Sequence, residues 1–192
     1  MRPDWFFFAV LYVVLAGCVN PPDSVRQDGQ ISARRPMHAF EARGVLAIRT
    51  PKETSSLHWQ WHQQDAQYVL VLRGPTGIGT ATLRGQPGQV TLTTSDGKSR
   101  RASRPEQLLF QATGWHLPLS GWRYWIRGLP DPALPATKHY DAAHRLSVLQ
   151  QNGWTLHYLH YRTASGIALP DQILLTNASL SLKVVVREWS YH

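Results

Sequence analysis

An apolar residue at every second position is the feature that most constrains how this chain folds. Leu57, Trp59 and Trp61 alternate with polar neighbours, and the same alternation returns over residues 180–186. Because successive side chains of a strand point to opposite faces, this period predicts strands with one apolar and one wet face, as in antiparallel sheets. The Asn152-Gly153 pair fits a tight hairpin, which requires positive backbone angles. We therefore predict that most of the chain forms antiparallel strands.

Two short segments in the middle of the chain break the strand pattern. Ser103 and Glu106 resemble a capping box before a helix that ends near Gly114. A second apolar set has helical spacing between Pro118 and Gly128-Leu129-Pro130, and its members are Leu119, Trp122, Trp125, Ile126 and Leu129. Roughly ten strands with so few helices predict a mainly β fold with a single strongly curved antiparallel sheet. Such a sheet hides its apolar concave face by closing on itself or by covering that face with helices.

A curved sheet of this size raises the question of what fills its interior. A barrel wide enough to leave space inside holds an apolar ligand. Nine residues on strand or helix faces expected to point inward are candidates for the wall of such a cavity: Trp59, Trp61, Leu70, Leu72, Leu83, Leu92, Trp122, Trp125 and Ile126. The alternative is ordinary core packing, and a cavity wall would differ only in being incompletely filled.

The single cysteine predicts how the chain is processed. Cys18 ends the sequence Leu15-Ala16-Gly17-Cys18, after an apolar run that starts at Trp5 and is too short to cross a bilayer, which needs roughly 20 residues. This is the pattern of a lipobox, and an ordinary cleaved signal or a short anchor is the alternative. We expect residues 1–17 to be a lipoprotein signal peptide, 18–37 the lipidated N-terminus and a flexible tether, and 38–192 one folded domain.

Lipidation sets the expected location. With an N-acyl chain and an S-diacylglycerol group on Cys18, three acyl chains make release from the membrane negligible. Val19, rather than aspartate, follows the cysteine, which favours the outer membrane in the bacterial sorting rule. The net charge of +8 is compatible with attraction to an anionic lipid surface, or simply with a protein surface exposed to solvent. The export signal argues against nucleic acid as a partner.

The segment Gly74–Gly79 is predicted to be a hairpin tip. It lacks the lysine and the following helix of a phosphate-binding loop. Ile78 either projects from this tip towards lipid headgroups or is tucked into the turn. His58 and His62 have the spacing of a helical metal pair, but they lie on a predicted strand, so we expect no metal site and no other cofactor. Nothing resembles a nucleophile elbow, and we expect no enzymatic activity.

The order and spacing of several short matches resemble those of the LolB family of outer-membrane lipoprotein receptors. The similarity covers nearly the whole mature chain. It is carried by Phe40 with Arg43-Gly44, Trp61, Gly74-Pro75-Thr76-Gly77, Leu117-Pro118-Leu119, Trp125 with Gly128-Leu129-Pro130, Gly153-Trp154 with Tyr158, Leu169-Pro170 and the closing Trp189.

The resemblance implies a fold and a function. The fold is an unclosed antiparallel β-barrel of about ten or eleven strands, with short helices plugging an apolar cavity for acyl chains, and the nine candidate wall residues would line that acyl-chain cavity. The function is to receive acylated lipoproteins from the periplasmic carrier LolA and to insert them, as a monomer, into the inner leaflet of the outer membrane. The membrane-insertion loop is then Pro75, Thr76, Gly77 and Ile78. Thr76 stands where the family usually has leucine, so either Ile78 has taken the apolar role or insertion depends less on one side chain.

Two other functions are compatible with the same residues. The chain is alternatively an anchored periplasmic lipid-binding or assembly-scaffold lipoprotein of similar barrel fold that does not transfer cargo. A third possibility is an envelope hydrolase acting on lipid or glycan. Composition does not separate a receptor from a passive binder, whereas the handover of cargo from a loaded carrier does.

Overall fold

A computed structural model describes residues 39–75 and 79–191. Cys18, the expected signal peptide and the tether lie outside the described residues, as do Thr76, Gly77 and Ile78. The described elements, in chain order, are β1 (Ala39–Arg49), β2 (Thr54–Gln64), β3 (Gln67–Arg73), β4 (Thr80–Gln86), β5 (Gln89–Thr94), β6 (Ser99–Ala102), α1 (Pro105–Thr113), α2 (Leu119–Trp125), β7 (Thr137–Tyr140), β8 (Leu146–Gln151), β9 (Trp154–Ala164), β10 (Ile167–Thr176) and β11 (Ser181–Tyr191).

All eleven strands form one sheet in the order β6-β5-β4-β3-β2-β1-β11-β10-β9-β8-β7. Every pairing is antiparallel, so the sheet consists of two meanders, β1–β6 and β7–β11, which meet where β1 pairs with β11. The outer strands β6 and β7 do not pair with each other, and the sheet stays open. The predicted fold class, an unclosed antiparallel barrel with short helices, is confirmed.

The predicted hairpin at Asn152-Gly153 joins β8 to β9. Asn152 has a φ of 53° and Gly153 a φ of 75°, the left-handed conformation that a two-residue hairpin with a matching twist requires. Asparagine and glycine tolerate this conformation better than other residues. The residue types at this turn therefore match the backbone conformation that the hairpin needs.

The alternation seen in the sequence corresponds to burial in the structure. In β11, Leu182, Val184 and Val186 have no exposed surface, whereas Lys183 and Arg187 between and beside them are exposed. The same alternation in β1 and β2 contributes to one continuous hydrophobic core, bounded in sequence by Phe40 and Val186. The concave face of the sheet is the apolar face, and both helices contribute residues to its core.

The two predicted helices exist, with different ends from those expected. Leu129 lies outside α2, which stops at Trp125. The predicted capping box at Ser103 is wrong: the N-cap of α1 is Arg104, no side chain caps it, and Glu106 instead accepts a hydrogen bond from the backbone of Ser120 (2.7 Å). Neither described helix, with nine and seven residues, has the length and apolar character to cross a bilayer.

The interior of the half-barrel as candidate site

The nine predicted wall residues come together in the structure. Each is at most 5% exposed, and all belong to the same core. Strand register explains the arrangement, because Trp61, Leu70, Leu83 and Leu92 are successive partners across β2, β3, β4 and β5. Trp59 and Leu72 form a second such pair on the same face, two residues further along each strand. Their role as the wall of a lipid cavity stays a prediction.

The C-terminal meander supplies an equal part of the apolar interior, which the predicted wall omitted. Its fully buried side chains are Leu149, Leu156, Ile173, Leu175, Leu182, Val184 and Val186. The sequence signal was the same alternation, which is plain in β11. This alternation does not reveal that β11 pairs with β1, and that pairing brings these residues close to the tryptophans of β2.

Helix α2 covers the concave face through its two tryptophans. Trp122 meets Trp59 of β2 edge to face, with ring centroids 5.9 Å apart and planes at 85°. Trp125, at the other end of the helix, donates its indole hydrogen to Oε1 of Gln151 (2.8 Å). Its carbonyl accepts a hydrogen bond from the Tyr158 hydroxyl (3.1 Å). Burial holds the pKa of Tyr158 well above its usual value, so this hydroxyl remains a donor.

Gln151 holds the segment between α2 and β7 against strand β8 through side-chain hydrogen bonds. Its side-chain oxygen accepts from the backbone N–H of Asp131 (2.8 Å) as well as from Trp125, and its amide donates to the carbonyls of Asp131 (2.9 Å) and Leu134 (3.0 Å). Only 3% of Gln151 is exposed. No local pattern predicts this role, since a glutamine near a strand end is usually a surface residue.

Two indole groups of the interior have no such acceptor. The side-chain N–H of Trp61 donates to Gln63 (2.9 Å), and that of Trp125 to Gln151. The N–H groups of Trp59 and Trp122 are buried and make no hydrogen bond within the described part of the chain. A buried donor without an acceptor costs about 1–3 kcal/mol. These two unpaired donors lie together at the contact between β2 and α2.

Surface grooves flank the helices. One groove, of about 590 Å³, runs beside α1 and α2, and its lining includes Phe110, Leu117 and Trp154. Leu117 and Trp154 are also members of the core, so the groove reaches the edge of the interior. Phe110 is 45% exposed and stacks on His116, with ring centroids 4.1 Å apart. An exposed aromatic stack here gives this end of the molecule an apolar surface.

The glycine-rich segment lies between β3 and β4, as the sequence predicted. Arg73 pairs with Thr80, and the N–H of Gly74 donates to the carbonyl of Gly79 (3.3 Å), which closes the base of the loop. Pro75 is exposed. The remaining members of the predicted insertion loop, Thr76, Gly77 and Ile78, lie outside the described residues, and a contact of this loop with lipid stays a prediction.

Charged clusters on the outer face of the sheet have structural partners. Asp171, 6% exposed at its side chain, accepts hydrogen bonds from His160 and Arg162 beside the irregular β9–β10 pairing at Pro170–Gln172. His62 contacts Glu41 on the neighbouring strand. Within residues 39–75 and 79–191, no three His, Cys, Asp or Glu side chains group in a way that would hold a metal ion.

The fold and its interior define a class of protein: an open antiparallel barrel with helices over an apolar concave face. Solved structures of this class include a LolA superfamily protein from Nitrosomonas europaea, with a TM-score of 0.56 and 8% sequence identity, covering 85% of this chain and 91% of that one. A putative outer membrane lipoprotein-sorting protein domain from Vibrio parahaemolyticus gives a TM-score of 0.55 at 7% identity, covering 85% of this chain and 89% of that one.

Sequence comparison identifies the family. The family model described as outer membrane lipoprotein LolB matches residues 38–189. The outer-membrane lipoprotein LolB of Pseudomonas paraeruginosa is 32% identical over 98% of this chain and 97% of its own length. That of Cellvibrio japonicus is 36% identical over 90% and 86%. The chain belongs to the LolB family, and it is an outer-membrane lipoprotein of the lipoprotein-localisation system.

Proposed function

We propose that this chain, anchored through lipid on Cys18, receives acylated lipoproteins from the periplasmic carrier LolA and passes them into the inner leaflet of the outer membrane. Acyl chains do not cross an aqueous compartment unshielded, because exposed apolar surface is unfavourable in water. Membership of the LolB family and a LolA-like fold support a pair of related proteins that exchange one kind of cargo.

The observation that carries the proposal is the helix-covered apolar interior. The nine predicted wall residues and the inward side chains of β8–β11 present a continuous hydrocarbon-like surface on the concave side. In the structure these side chains are packed against the helices, so an acyl chain enters by displacing α1 and α2 from the sheet. The groove lined by Phe110, Leu117 and Trp154 is the edge at which we place this entry.

Transfer of this kind needs no covalent step and no nucleotide. It requires only that the interior of this protein hold the acyl chains at a lower free energy than the carrier does. A difference of about 1.4 kcal/mol biases the exchange tenfold. Basic residues outnumber acidic ones by eight, and attraction to anionic lipid would bring the loaded protein towards the bilayer.

A cargo-transfer assay tests the proposal. Carrier LolA loaded with a radiolabelled lipoprotein is mixed with the full-length protein in liposomes, and label in the liposome fraction is counted after flotation. We expect transfer that depends on this protein and not on ATP. A variant with Leu83→Glu and Leu92→Glu, which places charge in the interior, should lose transfer. A protein that binds lipid but leaves the cargo on the carrier is the passive binder considered above.

The loop is tested separately in the same assay. We expect Ile78→Glu to leave release of cargo from the carrier unchanged and to reduce label in the bilayer, because a charged tip is excluded from lipid. Thr76→Glu is the matched variant two positions away. Equal insertion by the parent protein and both variants would show that insertion does not depend on the loop tip.

A further inference from the structure

We propose that the indole N–H groups of Trp59 and Trp122 are hydrogen-bond donors for the ester or amide carbonyls of an incoming acyl group. Both side chains are 2% exposed, and both N–H groups lack an acceptor among the described residues. The inference rests on the proposed function, since it names the chemical group that this interior recognises.

The other two tryptophans of the predicted wall differ from this pair. Trp61 and Trp125 are as deeply buried, at 1% each, and each donates to a glutamine oxygen. The fold thus supplies acceptors for two of the four wall indoles and leaves two adjacent ones unsatisfied, as it does the indole of Trp189 outside the predicted wall. Buried polar groups are nearly always hydrogen-bonded in native proteins, and an exception calls for an explanation.

The geometry of the pair does not satisfy both donors internally. The rings of Trp59 and Trp122 meet edge to face, at 5.9 Å and 85°. In that arrangement only the ring that presents its edge is able to point an N–H at the other ring's face, and such contacts are weak. At least one indole hydrogen therefore has no partner of any kind within the described chain.

The position of the pair is where a ligand would arrive. Trp59 belongs to the sheet and Trp122 to α2, the two elements that must separate for an acyl chain to enter. Trp59 pairs with Leu72 of β3, next to Arg73 and the glycine-rich segment that follows it. The two donors thus lie towards the end of the apolar interior from which this loop extends.

The chemistry of the cargo matches these donors. The tails of a diacylglyceryl cysteine need only apolar contact, but each tail is joined through a carbonyl that loses water as it enters. A neutral indole N–H replaces that water without burying a charge, which would be far more costly. The pair should therefore favour ester-linked and amide-linked chains over ether-linked chains of equal length.

The experiment compares two competitors on the full-length protein in nanodiscs. A dipalmitoylglyceryl-cysteinyl peptide with a photoactivatable group on one tail is cross-linked to the protein, and unlabelled dipalmitoyl ester or dihexadecyl ether peptide competes for it. We expect the ether peptide to compete about three to tenfold more weakly than the ester peptide, the effect of one hydrogen bond. Trp59→Phe with Trp122→Phe should bring this ratio close to one.

Trp115→Phe is the matched control, because the Trp115 N–H already donates to Glu53 (3.2 Å) and Trp115 lies outside the predicted wall, so this variant should keep the preference for the ester. A ratio of one in the unsubstituted protein overturns the inference, and that measurement needs no variant to fold. A preference that survives the double substitution also overturns it. Absence of any specific cross-link in the unsubstituted protein would instead contradict acyl binding itself, and with it the proposed function.

Discussion

Single polar side chains organise the otherwise apolar interior of this protein. Gln63 and Gln151 are each 3% exposed, and each accepts from a tryptophan while donating to backbone carbonyls. A buried amide is tolerated only when its hydrogen bonds are made, and these amides therefore fix their surroundings. The orientation of Trp125 follows from Gln151 as much as from hydrophobic packing.

We expect Gln151→Met to destabilise the protein by about 2–4 kcal/mol. The substitution keeps the volume but leaves the donors of Trp125 and Asp131 without an acceptor, at about 1–3 kcal/mol each. Urea unfolding followed by tryptophan fluorescence measures the change. Gln150→Met, at the exposed neighbouring position, is the control and should stay within about 0.5 kcal/mol of the parent. Equal effects at the two positions would contradict the role of Gln151.

Tyr68 predicts an alkaline loss of stability. Burial, and to a lesser extent the charge of Glu106, raises the pKa of Tyr68 to about 12, and its ring stacks on Trp61 at 4.6 Å. The pKa of a tyrosine in the unfolded chain is about 10. The stabilising effect of the buried neutral hydroxyl is therefore complete below pH 10 and disappears as the pH rises towards 12. Tyr68→Phe lacks the group, so its stability relative to the parent should improve over that interval. Urea midpoints at several alkaline pH values give the comparison, and a constant difference would contradict it.

For single residues, the sequence predicted which apolar side chains point inward, because strand alternation is a local property. Trp59, Leu83 and Leu92 were predicted from it and are buried. The glutamine acceptors were not predictable, because their partners lie elsewhere in the chain: Gln151 is 26 positions from Trp125. The sequence likewise does not reveal that the indole N–H groups of Trp59 and Trp122 lack acceptors, because no local pattern marks the absence of a distant partner.

The helices are the elements whose stability depends most on their surroundings. Helices of nine and seven residues are too short to persist alone in water. Their N-caps make no side-chain hydrogen bond, so docking on the sheet and the bond from Ser120 to Glu106 hold them. Elements held by a few such contacts open before the sheet does.

We expect Glu106→Ala to loosen α2 without unfolding the sheet. Removing the acceptor of the Ser120 N–H should speed hydrogen exchange of α2 amides by about three to tenfold, the equivalent of one hydrogen bond. Exchange in β2 and β11 should not change. Gln107→Ala, the exposed neighbour, is the control. Faster exchange throughout the sheet would mean that the helices and strands open as one unit.

Prediction of the elements succeeded where a period was present. The helices were predicted from apolar spacing and the β8–β9 hairpin from its turn residues. Strand β7 was not predicted, because all four of its residues are exposed and no apolar alternation marks it. The capping box failed for a related reason: the sequence shows that Ser103 and Glu106 have the right spacing, but the carboxylate has a partner in α2, which local pattern does not reveal.

The whole molecule depends on one long-range pairing. Strands β1 and β11 join the two meanders, and their register shifts at Arg43/Gly44. A Cβ on Gly44 would lie 1.8 Å from the carbonyl oxygen of Val185, so only glycine allows the strands to approach this closely. The sheet order was not predictable, because alternation defines the faces of a strand but not its neighbours.

We expect Gly44→Ala to destabilise the protein by at least about 3 kcal/mol, at the upper end of overpacking effects, because the clash is with backbone. Gly88→Ala is the control. Gly88 has a φ of 74° and open space around it, so only backbone strain of about 1–2 kcal/mol applies. Denaturant unfolding of both variants measures the difference. Similar losses would show that the β1–β11 contact adapts to a side chain.

The position of β1 also determines how far the folded domain would reach from the proposed lipid anchor on Cys18. Ala39 lies at the end of the sheet marked by the β2–β3 turn, while Gly74 and Gly79 lie at the opposite end of β3, about 23 Å away. The roughly 20 residues between Cys18 and Ala39 span at most about 70 Å when extended. On the proposed anchoring through Cys18, this reach would let the lipid and the glycine-rich hairpin contact the same leaflet, and the surplus length would let the barrel change its orientation while it stays attached.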